Sequence, residues 1–288
     1  MSQADPDVTA TIAALVVYPV KSCAGVPVNE AVLTEAGLDL DRAWMVVDEQ
    51  GEFVSQRELP RMALIVPKMR FHDMVLRAPG MLALHIALDA VEQPCKVRVW
   101  DDEVSAYDMG DTAAQWFSDF LGQKLRLARF DPDVRRLSSL QWTRGVEALN
   151  QFSDGYPLLV ASEASLDGLN ARLANAGHAP VGIERFRPNV VLAGVEAHDE
   201  DRLASMRIDT GDAPVELLPV KPCARCPIPN VDPATGQSSP AVGDALQAYR
   251  QDARLNGAVT FGMNVIVTAG LEQVLRVGQP VAGNYAFD

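Results

Sequence analysis

The chain has 288 residues, which is long enough for two domains or for one large domain with an accessory lobe. With 48% hydrophobic and 22% charged residues and a mean hydropathy of +0.01, its composition excludes disordered and fibrous classes. Its 38 acidic residues outnumber its 25 basic ones and give a net charge of −13, which repels phosphate backbones and anionic lipid. Neither nucleic acid nor a membrane is therefore an expected partner.

The termini and the cysteines indicate a cytoplasmic protein. No apolar run approaches the roughly 18 residues of a membrane-spanning helix. The first residues carry Asp5 and Asp7 where a signal peptide has a positive region. Four cysteines in 288 residues are too few for a disulfide scaffold, so we expect thiols, ligands or redox groups.

The first hundred residues predict a β-rich lobe. Strand-like runs occupy residues 11–18, 43–47, 63–66, 81–86 and 96–100. The turn-forming stretch 48–51 separates two of these runs in the manner of a hairpin. Short extended runs joined by turns are typical of β structure and leave little room for a helix in this part of the chain.

Helical patterns begin after Asp111. An apolar stripe predicts a first helix, formed by Trp116, Phe117, Phe120 and Leu121, which Gly122 can end. A second helix is predicted from Ser162, a good N-cap, to Gly177, and a third over about residues 241–250. Strand-like runs lie at residues 158–161, 190–192, 215–220, 260–267 and 274–277.

These elements predict a mixed α/β fold with two domains. The C-terminal half lacks regular βαβ alternation, which favours a barrel-like sheet with flanking helices over a doubly wound sheet. The boundary falls between residues 122 and 131. We therefore predict an N-terminal β-rich domain over residues 1–125 and a β-barrel-like domain over residues 126–288.

The most specific local motif is a pair of cysteines, Cys223 and Cys226, that follows a strand-like run. Lys221 and Arg225 lie beside them, and basic neighbours make thiols good nucleophiles or soft-metal ligands. Prolines on both sides, at Pro222 and Pro227, favour an ordered loop.

Four interpretations of this pair stay open at this point. A structural zinc site needs four ligands, but the other cysteines and the four histidines show no finger spacing. A thioredoxin-like dithiol starts a helix, whereas Cys226 is followed by Pro227 and Pro229. Two small thiols packed in a tight loop are the third interpretation. The fourth is one thiolate ligand to a soft metal that an organic cofactor mainly holds.

Basic side chains at strand ends predict an anion pocket in this acidic chain. Lys21 and Ser22 offer charge and a directional donor, although a lysine in a turn is most often simply solvated. The guanidinium groups of Arg42, Arg57 and Arg187 suit phosphate. Each arginine also has the alternative of an ion pair with a neighbour, such as Asp41, Glu58 or Glu184.

Several of these segments together resemble the MOSC family with its N-terminal β-barrel domain. The segments are residues 18–25, 41–48, 55–60, 162–166, 186–189, 223–226 with 231–236, and 261–262. The resemblance runs from about residue 11 to residue 280. Within that family the chain is most similar to the bacterial relatives of the mitochondrial amidoxime-reducing component.

This resemblance implies an enzyme that uses the molybdenum cofactor, a pterin dithiolene (molybdopterin) with bound molybdenum. The metal ligand and catalytic residue would be Cys226. The cofactor's pterin and phosphate would be held by Lys21, Ser22, Arg42, Asp154, Arg187 and Asn189. Because these residues come from both halves, we expect the cofactor between them, with Gln56 and Arg57 as further groups facing that cleft.

The implied reaction is reduction of a small N-hydroxylated compound, in which N–OH becomes N–H and water is released. No cysteine cluster for an iron–sulfur centre is present, so a separate ferredoxin-like or cytochrome-like protein is expected to supply electrons. The chain departs from the family where Pro227 and Ile228 replace threonines after the ligand cysteine. The alternative function is cofactor binding, delivery or sulfur transfer, with a persulfide carried by Cys223 or Cys226.

Overall fold

The computed structural model describes residues 5–286, and within them it contains three α-helices and nineteen strands. The helices are α1 (Gly110–Leu121), α2 (Glu163–Asn175) and α3 (Ala241–Gln247). The first eleven strands are β1 (Val8–Val17), β2 (Val26–Val28), β3 (Glu30–Thr34), β4 (Gly37–Leu38), β5 (Trp44–Val47), β6 (Val66–Met69), β7 (Asp73–Arg77), β8 (Leu84–Ala87), β9 (Gln93–Val99), β10 (Asp102–Asp108) and β11 (Arg126–Phe130). The other eight are β12 (Leu158–Ser162), β13 (Val190–Ala193), β14 (Leu203–Asp209), β15 (Pro214–Ala224), β16 (Gln251–Asp252), β17 (Ala258–Ala269), β18 (Val274–Arg276) and β19 (Pro280–Tyr285).

A closed barrel of seven strands dominates the C-terminal half. The strands follow the order β12, β13, β1, β19, β14, β15 and β17, and β12 pairs with β17 to close the ring. Its interior is a dry aliphatic core that includes Leu15, Val190, Val265 and Val281. The predicted mixed fold with a barrel-like sheet is therefore confirmed.

The barrel takes its third strand, β1, from the start of the chain. β1 pairs with β13 on one side and with β19 on the other, and Ile12 and Leu15 are fully buried. The N-terminal segment thus enters the C-terminal barrel before the chain passes into the β-rich lobe. The division into residues 1–125 and 126–288 stays a prediction.

The N-terminal lobe consists of short sheets packed around α1. One sheet has the order β5, β11, β10, β9, and another has the order β6, β7, β8. As predicted, α1 buries an aromatic stripe that includes Phe117 and Phe120, and Gly122 ends it in a left-handed conformation with φ of 80°. This stripe supplies much of the lobe's core.

The helices of the C-terminal half cover one side of the barrel. Ser162 caps α2 as predicted, since its side-chain oxygen accepts a hydrogen bond from the Ser165 amide at 3.1 Å. α3 is shorter than predicted and ends at Gln247. Among residues 5–286, none of the helices is both long enough and apolar enough to cross a bilayer.

Two predicted strands are wrong in part, and several strands were not predicted. Residues 63 and 64 belong to a 3₁₀ helix, Pro60–Leu64, because a proline near its start favours helical φ and needs no N–H partner. Residues 81–83 are a loop after the turn at Pro79, and the strand begins only at Leu84. Among the missed strands, β7 has three consecutive buried residues, so its sequence lacks the apolar–polar alternation that predicts a strand.

Candidate functional site

A cleft lies where the N-terminal lobe meets the open end of the barrel, and all seven predicted site residues line it. They are Lys21, Ser22, Arg42, Asp154, Arg187, Asn189 and Cys226. The space between its walls, including the part open to solvent, is about 830 Å³.

Lys21 and Ser22 lie in the cleft, in the turn that follows β1. The Lys21 amide donates to the Trp44 carbonyl at 2.8 Å, so the turn is tied to β5 of the other lobe. Ser22 has a φ of 67°, in the left-handed region. Lys21 is only 6% exposed, which rules out the solvated-lysine interpretation.

The Lys21 ammonium binds the segment before β12 and so helps to join the two lobes. It donates to the Phe152 carbonyl at 2.8 Å and forms an ion pair with the Asp154 carboxylate. Burial lowers the pKa of Lys21, and Asp154 works in the opposite direction.

Asp154 is held in place from a second direction. The Trp100 indole N–H donates to its carboxylate at 3.2 Å. Burial favours the neutral carboxyl, but the Lys21 ammonium outweighs this effect and holds the Asp154 pKa well below its usual range. Solvent reaches 69% of the Asp154 side chain, so screening limits the energy of the pair, and its role is mainly to fix geometry.

Two guanidinium groups lie within cation–π distance of the ring of Tyr18. The Cζ atoms of Arg42 and Arg187 lie 4.4 Å and 4.3 Å from its ring centroid. Both arginines have positive φ, 53° and 59°. Burial lowers the Arg187 pKa to about 10, and the like charge of Arg42 contributes to the lowering. Both cations thus contact the same aromatic ring.

The two arginines differ in how many of their donors the protein uses. Arg42 donates three hydrogen bonds, to the Asp41 carboxylate, to Asn189 Oδ1 at 3.0 Å and to the Arg187 carbonyl at 3.1 Å. Arg187 Nη1 donates to the Cys23 carbonyl at 2.6 Å, but its Nη2 is buried with no partner in the structure. A buried guanidinium N–H without an acceptor is costly, and it is suited to an anionic ligand in the cleft.

Asn189 joins the site to the barrel. Its Oδ1 accepts from the Leu159 amide at 3.1 Å as well as from Arg42, and its Nδ2 donates to the Val16 carbonyl at 3.2 Å. The Asn189 side chain, directly before β13, thereby links Arg42 to β12 and β1. Its predicted direct contact with a cofactor stays a prediction.

The cysteine loop forms the opposite wall of the cleft. Cys223 lies near the end of β15, and its sulfur accepts from Arg225 Nη1 at 2.8 Å. Arg225 is itself fixed by bonds to the carbonyls of Phe186 and Val259. Cys226 is exposed, and both cysteines are free thiols that line the cleft.

The metal-binding alternatives can be compared with this geometry. Within residues 5–286, no group of three or more His, Cys, Asp or Glu side chains is arranged to hold a metal ion. A structural zinc site at Cys223 and Cys226 therefore finds no further ligands there. A single exposed thiol beside an anion-binding wall fits a metal that arrives mainly bound to another group.

The N-terminal lobe contributes an aromatic and cationic rim. Arg57 lies with its Cζ 4.5 Å from the Trp100 ring and 5.5 Å from the Phe53 ring, and it lines the cleft as expected. It also forms an ion pair with Glu58 at 3.7 Å, so Arg57 lines the cleft and is paired with a neighbour at the same time. Gln56 lies behind the wall and donates to the Ser22 carbonyl at 2.6 Å.

Three groups around the cleft were not predicted from the sequence. They are Trp100, which binds Asp154, Tyr18, which contacts Arg42 and Arg187, and Arg136, which holds the loop before β12. Arg136 Nη1 contacts Asn150 Oδ1 at 2.6 Å and the Ser153 carbonyl at 2.7 Å. No local pattern marks these residues, because their partners lie many positions away along the chain.

The charge of the cleft is opposite to that of the protein. Its lining contains five basic side chains, Lys21, Arg42, Arg57, Arg187 and Arg225, but only one acidic side chain, Asp154. The whole chain carries −13. Together with the unpartnered Arg187 Nη2, this lining fits a phosphate-bearing anionic group, and Cys226 supplies a soft ligand beside it.

Fold and site together define a two-lobed protein with a cation-lined, thiol-bearing cleft between a β-rich lobe and a closed barrel. The MOSC N-terminal beta barrel domain matches residues 9–124, and the MOSC domain matches residues 148–282. The chain belongs to the MOSC-domain family.

Characterised relatives support the same assignment. The chain is 39% identical to mitochondrial amidoxime-reducing component 1 of Mus musculus over 250 residues, covering 83% of this chain and 71% of that protein. It is 36% identical to the Homo sapiens protein of that name over 286 residues, covering 94% and 82%. It is also 29% identical to Homo sapiens molybdenum cofactor sulfurase, covering 86% of this chain but 29% of that longer protein.

Proposed function

We propose that this protein is a molybdenum-cofactor-dependent oxidoreductase that reduces small N-hydroxylated compounds, converting N–OH to N–H with release of water. Electrons would come from a separate ferredoxin-like or cytochrome-like redox protein. The observation that carries the proposal is the convergence of five cations and an exposed thiol in one cleft of an acidic protein. The relatives named for amidoxime reduction support the choice of substrate class.

The residues divide the task of holding the cofactor. Cys226 would bind the metal as a thiolate, and Arg187 Nη2 and the Ser22 hydroxyl would bind the phosphate. Lys21 and Arg42 would offset the remaining negative charge in a partly desolvated cleft, where such contacts are strong. When bound, the cofactor supplies the two-electron chemistry that removes oxygen from N–OH.

The surrounding groups fix positions and control access. Asp154 is ionised at neutral pH because Lys21 holds its pKa low, so it orients the ammonium and does not serve as a proton donor. Trp100 and Arg57 form the rim through which a small substrate would enter. An aromatic and guanidinium rim can stack on a flat amidine group.

The decisive experiment compares the two cysteines. The purified holoprotein is assayed for molybdenum and pterin, and for reduction of benzamidoxime with dithionite-reduced methyl viologen. Cys226→Ala is expected to lower turnover by roughly 10²-fold or more, because loss of a ligand costs at least as much as loss of a group supporting one. Cys223→Ala, the matched control, is expected to keep most of the turnover. Full activity in Cys226→Ala contradicts the ligand assignment.

A sulfur-handling role is the second candidate. The observation in its favour is the Arg225 guanidinium at 2.8 Å from the Cys223 sulfur, which places a hydrogen-bond donor beside this sulfur in the cleft. The similarity to a cofactor sulfurase points the same way. Bound cofactor without benzamidoxime turnover, together with a persulfide on Cys223 or Cys226 in mass spectra, would favour this role over the reductase.

A further inference from the structure

An apolar groove lies on the outside of the molecule, between the second sheet of the N-terminal lobe and the loop beyond the cysteines. One wall contains Val66, Pro79 and Met81, and the other contains Pro233 and Ala234. Val66 is 50% exposed and the nearby Leu82 is 88% exposed. Exposed aliphatic groups at this density, gathered around one groove, are typical of a protein contact surface.

Cations surround this groove although the protein is strongly acidic. Residues 61–87 contain four of the 25 basic residues, Arg61, Lys68, Arg70 and Arg77, but only one of the 38 acidic residues, Asp73. Asp73 is already paired with His85 at 2.6 Å. In the part of the chain that the structure describes, none of the four cations forms an ion pair, and all four are exposed.

Strand register places three of these cations, Lys68, Arg70 and Arg77, on one side of the sheet. Val66 on β6 lies directly opposite Arg77 on β7. Because side chains alternate between the two faces of a strand, Lys68 and Arg70 project to the same side as Val66. Val66, Lys68, Arg70 and Arg77, with the groove beside them, are called the Lys68 face below. An apolar centre with a charged rim is the usual composition of a transient protein interface.

The groove is continuous with the loop that carries the candidate metal ligand. Pro233 lies seven residues after Cys226, so their Cα atoms are at most about 25 Å apart even in a fully extended chain. The intervening 3₁₀ helix, Ile228–Asn230, shortens this distance. Arg185 donates to the Pro229 carbonyl at 3.2 Å, which fixes the loop against the wall that bears Arg187.

We propose that the Lys68 face docks an acidic electron-carrier protein. The inference rests on the proposed function, in which each conversion of N–OH to N–H and water consumes two electrons and two protons. A one-electron carrier must therefore dock twice in each turnover, and fast, reversible association is favoured by opposite charges. The net charge of −13 repels such a carrier from the protein as a whole, so the exposed cations of this face direct it to the side from which the Cys226 loop is reached.

The test uses an acidic [2Fe–2S] ferredoxin as the probe, with the full holoprotein. A zero-length carbodiimide links lysine amines to carboxylates that touch them, and mass spectrometry identifies the linked residues. The expected product joins Lys68 to a ferredoxin carboxylate, and its yield falls as salt is raised. This readout does not depend on catalysis, so it distinguishes failure of the docking proposal from failure of the proposed function.

Steady-state assays then measure the consequence for electron delivery. Lys68→Glu and Arg77→Glu are each expected to raise the KM for reduced ferredoxin roughly tenfold, while turnover with reduced methyl viologen stays unchanged. Lys96→Glu is the matched control, because Lys96 is exposed on another sheet and pairs with Glu103. An unchanged KM in the first two variants overturns the proposal. So does the absence of a ferredoxin crosslink to Lys68, or a crosslink from Lys68 to a second copy of this chain.

Discussion

Individual residues at the cleft adopt backbone conformations that most side chains avoid. Ser22, Arg42, Trp100 and Arg187 have φ values of 67°, 53°, 57° and 59°. Left-handed conformations of this kind cost on the order of 1 to 3 kcal/mol each, and they persist where surrounding contacts fix them. Here the contacts include the Asp41 carboxylate for Arg42 and the Cys23 carbonyl for Arg187. The fold holds charged groups in place before any ligand arrives.

The histidine at position 198 makes stability depend on pH. Both of its ring nitrogens are buried without a partner, and burial lowers its pKa to about 4, with Arg250 and Arg172 contributing. Between about pH 6.5 and pH 4 the unfolded chain therefore binds more protons than the folded one, so this group reduces stability as pH falls. Asparagine tolerates the φ of 67° at this position. Across that pH range, the free energy of unfolding of His198→Asn should fall by about 1 to 2 kcal/mol less than that of the wild type.

Urea unfolding at about pH 7 and about pH 4.5 measures this difference. The matched control is His178→Asn, the same substitution at an exposed histidine, and its effect should be smaller than that of His198→Asn. Comparison with the wild type removes the contribution of carboxylates, which titrate in the same range. An identical loss of stability in His198→Asn and the wild type would contradict the prediction.

At the residue scale, the sequence reveals charge but not arrangement. Lys21 and Arg187 were found because their segments resemble a known family and because basic residues are conspicuous in an acidic chain. The contact of Tyr18 with two guanidinium groups could not be predicted, since Arg187 lies far away in sequence. The unpartnered Arg187 Nη2 is likewise a property of packing, and no sequence pattern encodes it.

At the scale of elements, the segment before β12 has no regular structure and yet forms part of the site. Arg136, itself 8% exposed, bonds to Asn150 Oδ1 and to the carbonyls of Gln151 and Ser153. A single buried guanidinium thus replaces the backbone bonds that a strand or helix would supply. The loop then presents Asp154 to Lys21.

Removing this guanidinium should destabilise the loop and weaken the site. Arg136→Met leaves several buried acceptors unpaired, so we expect the free energy of unfolding to fall by about 3 kcal/mol. Pterin content of the purified protein should fall with it. Arg135→Met is the control, because Arg135 is 61% exposed and should change stability by less than about 0.5 kcal/mol. Urea denaturation of both variants decides the matter, and equal stabilities would refute the role given to Arg136.

Elements with strong local signals were predicted well, and those defined by tertiary contacts were not. α2 has an N-cap serine and an apolar stripe, and it begins after Ser162 as expected. β19 has neither a regular alternation nor a run of strand formers, and it exists because β1 and β14 lie on either side of it. The 3₁₀ helix at Pro60–Leu64 includes the first two residues of the strand predicted over residues 63–66, because proline favours a helical start.

At the scale of the whole molecule, the two lobes share backbone and side-chain connections. β1 belongs to the barrel, and the chain then passes through Val20, which bridges to Trp44 of the other lobe. The Phe152 amide donates to the Arg42 carbonyl at 3.1 Å, and Arg42 reaches Asn189 on the barrel side. Closure of the barrel and assembly of the cleft therefore depend on the same segment, which no local pattern in the sequence could indicate.

This coupling predicts that the chain unfolds in one transition. Leu15→Ala removes a fully buried side chain from the barrel and should cost about 3 to 4 kcal/mol. Tryptophan fluorescence reports mainly on the N-terminal lobe, where Trp44, Trp100 and Trp116 lie, whereas far-UV circular dichroism reports on both lobes. Because the lobes are joined through β1 and the cleft, both signals should shift to lower denaturant together in this variant.

The control for Leu15→Ala is Val32→Ala, since Val32 is 41% exposed on β3 and should change stability by at most about 0.5 kcal/mol. If the lobes unfolded independently, Leu15→Ala would move the circular dichroism transition and leave the fluorescence transition where it is in the wild type. That outcome would mean that the barrel can unfold while the cleft stays folded. Coincident shifts would instead mean that a ligand bound in the cleft stabilises both lobes at once, because it would bind only the state in which both are folded.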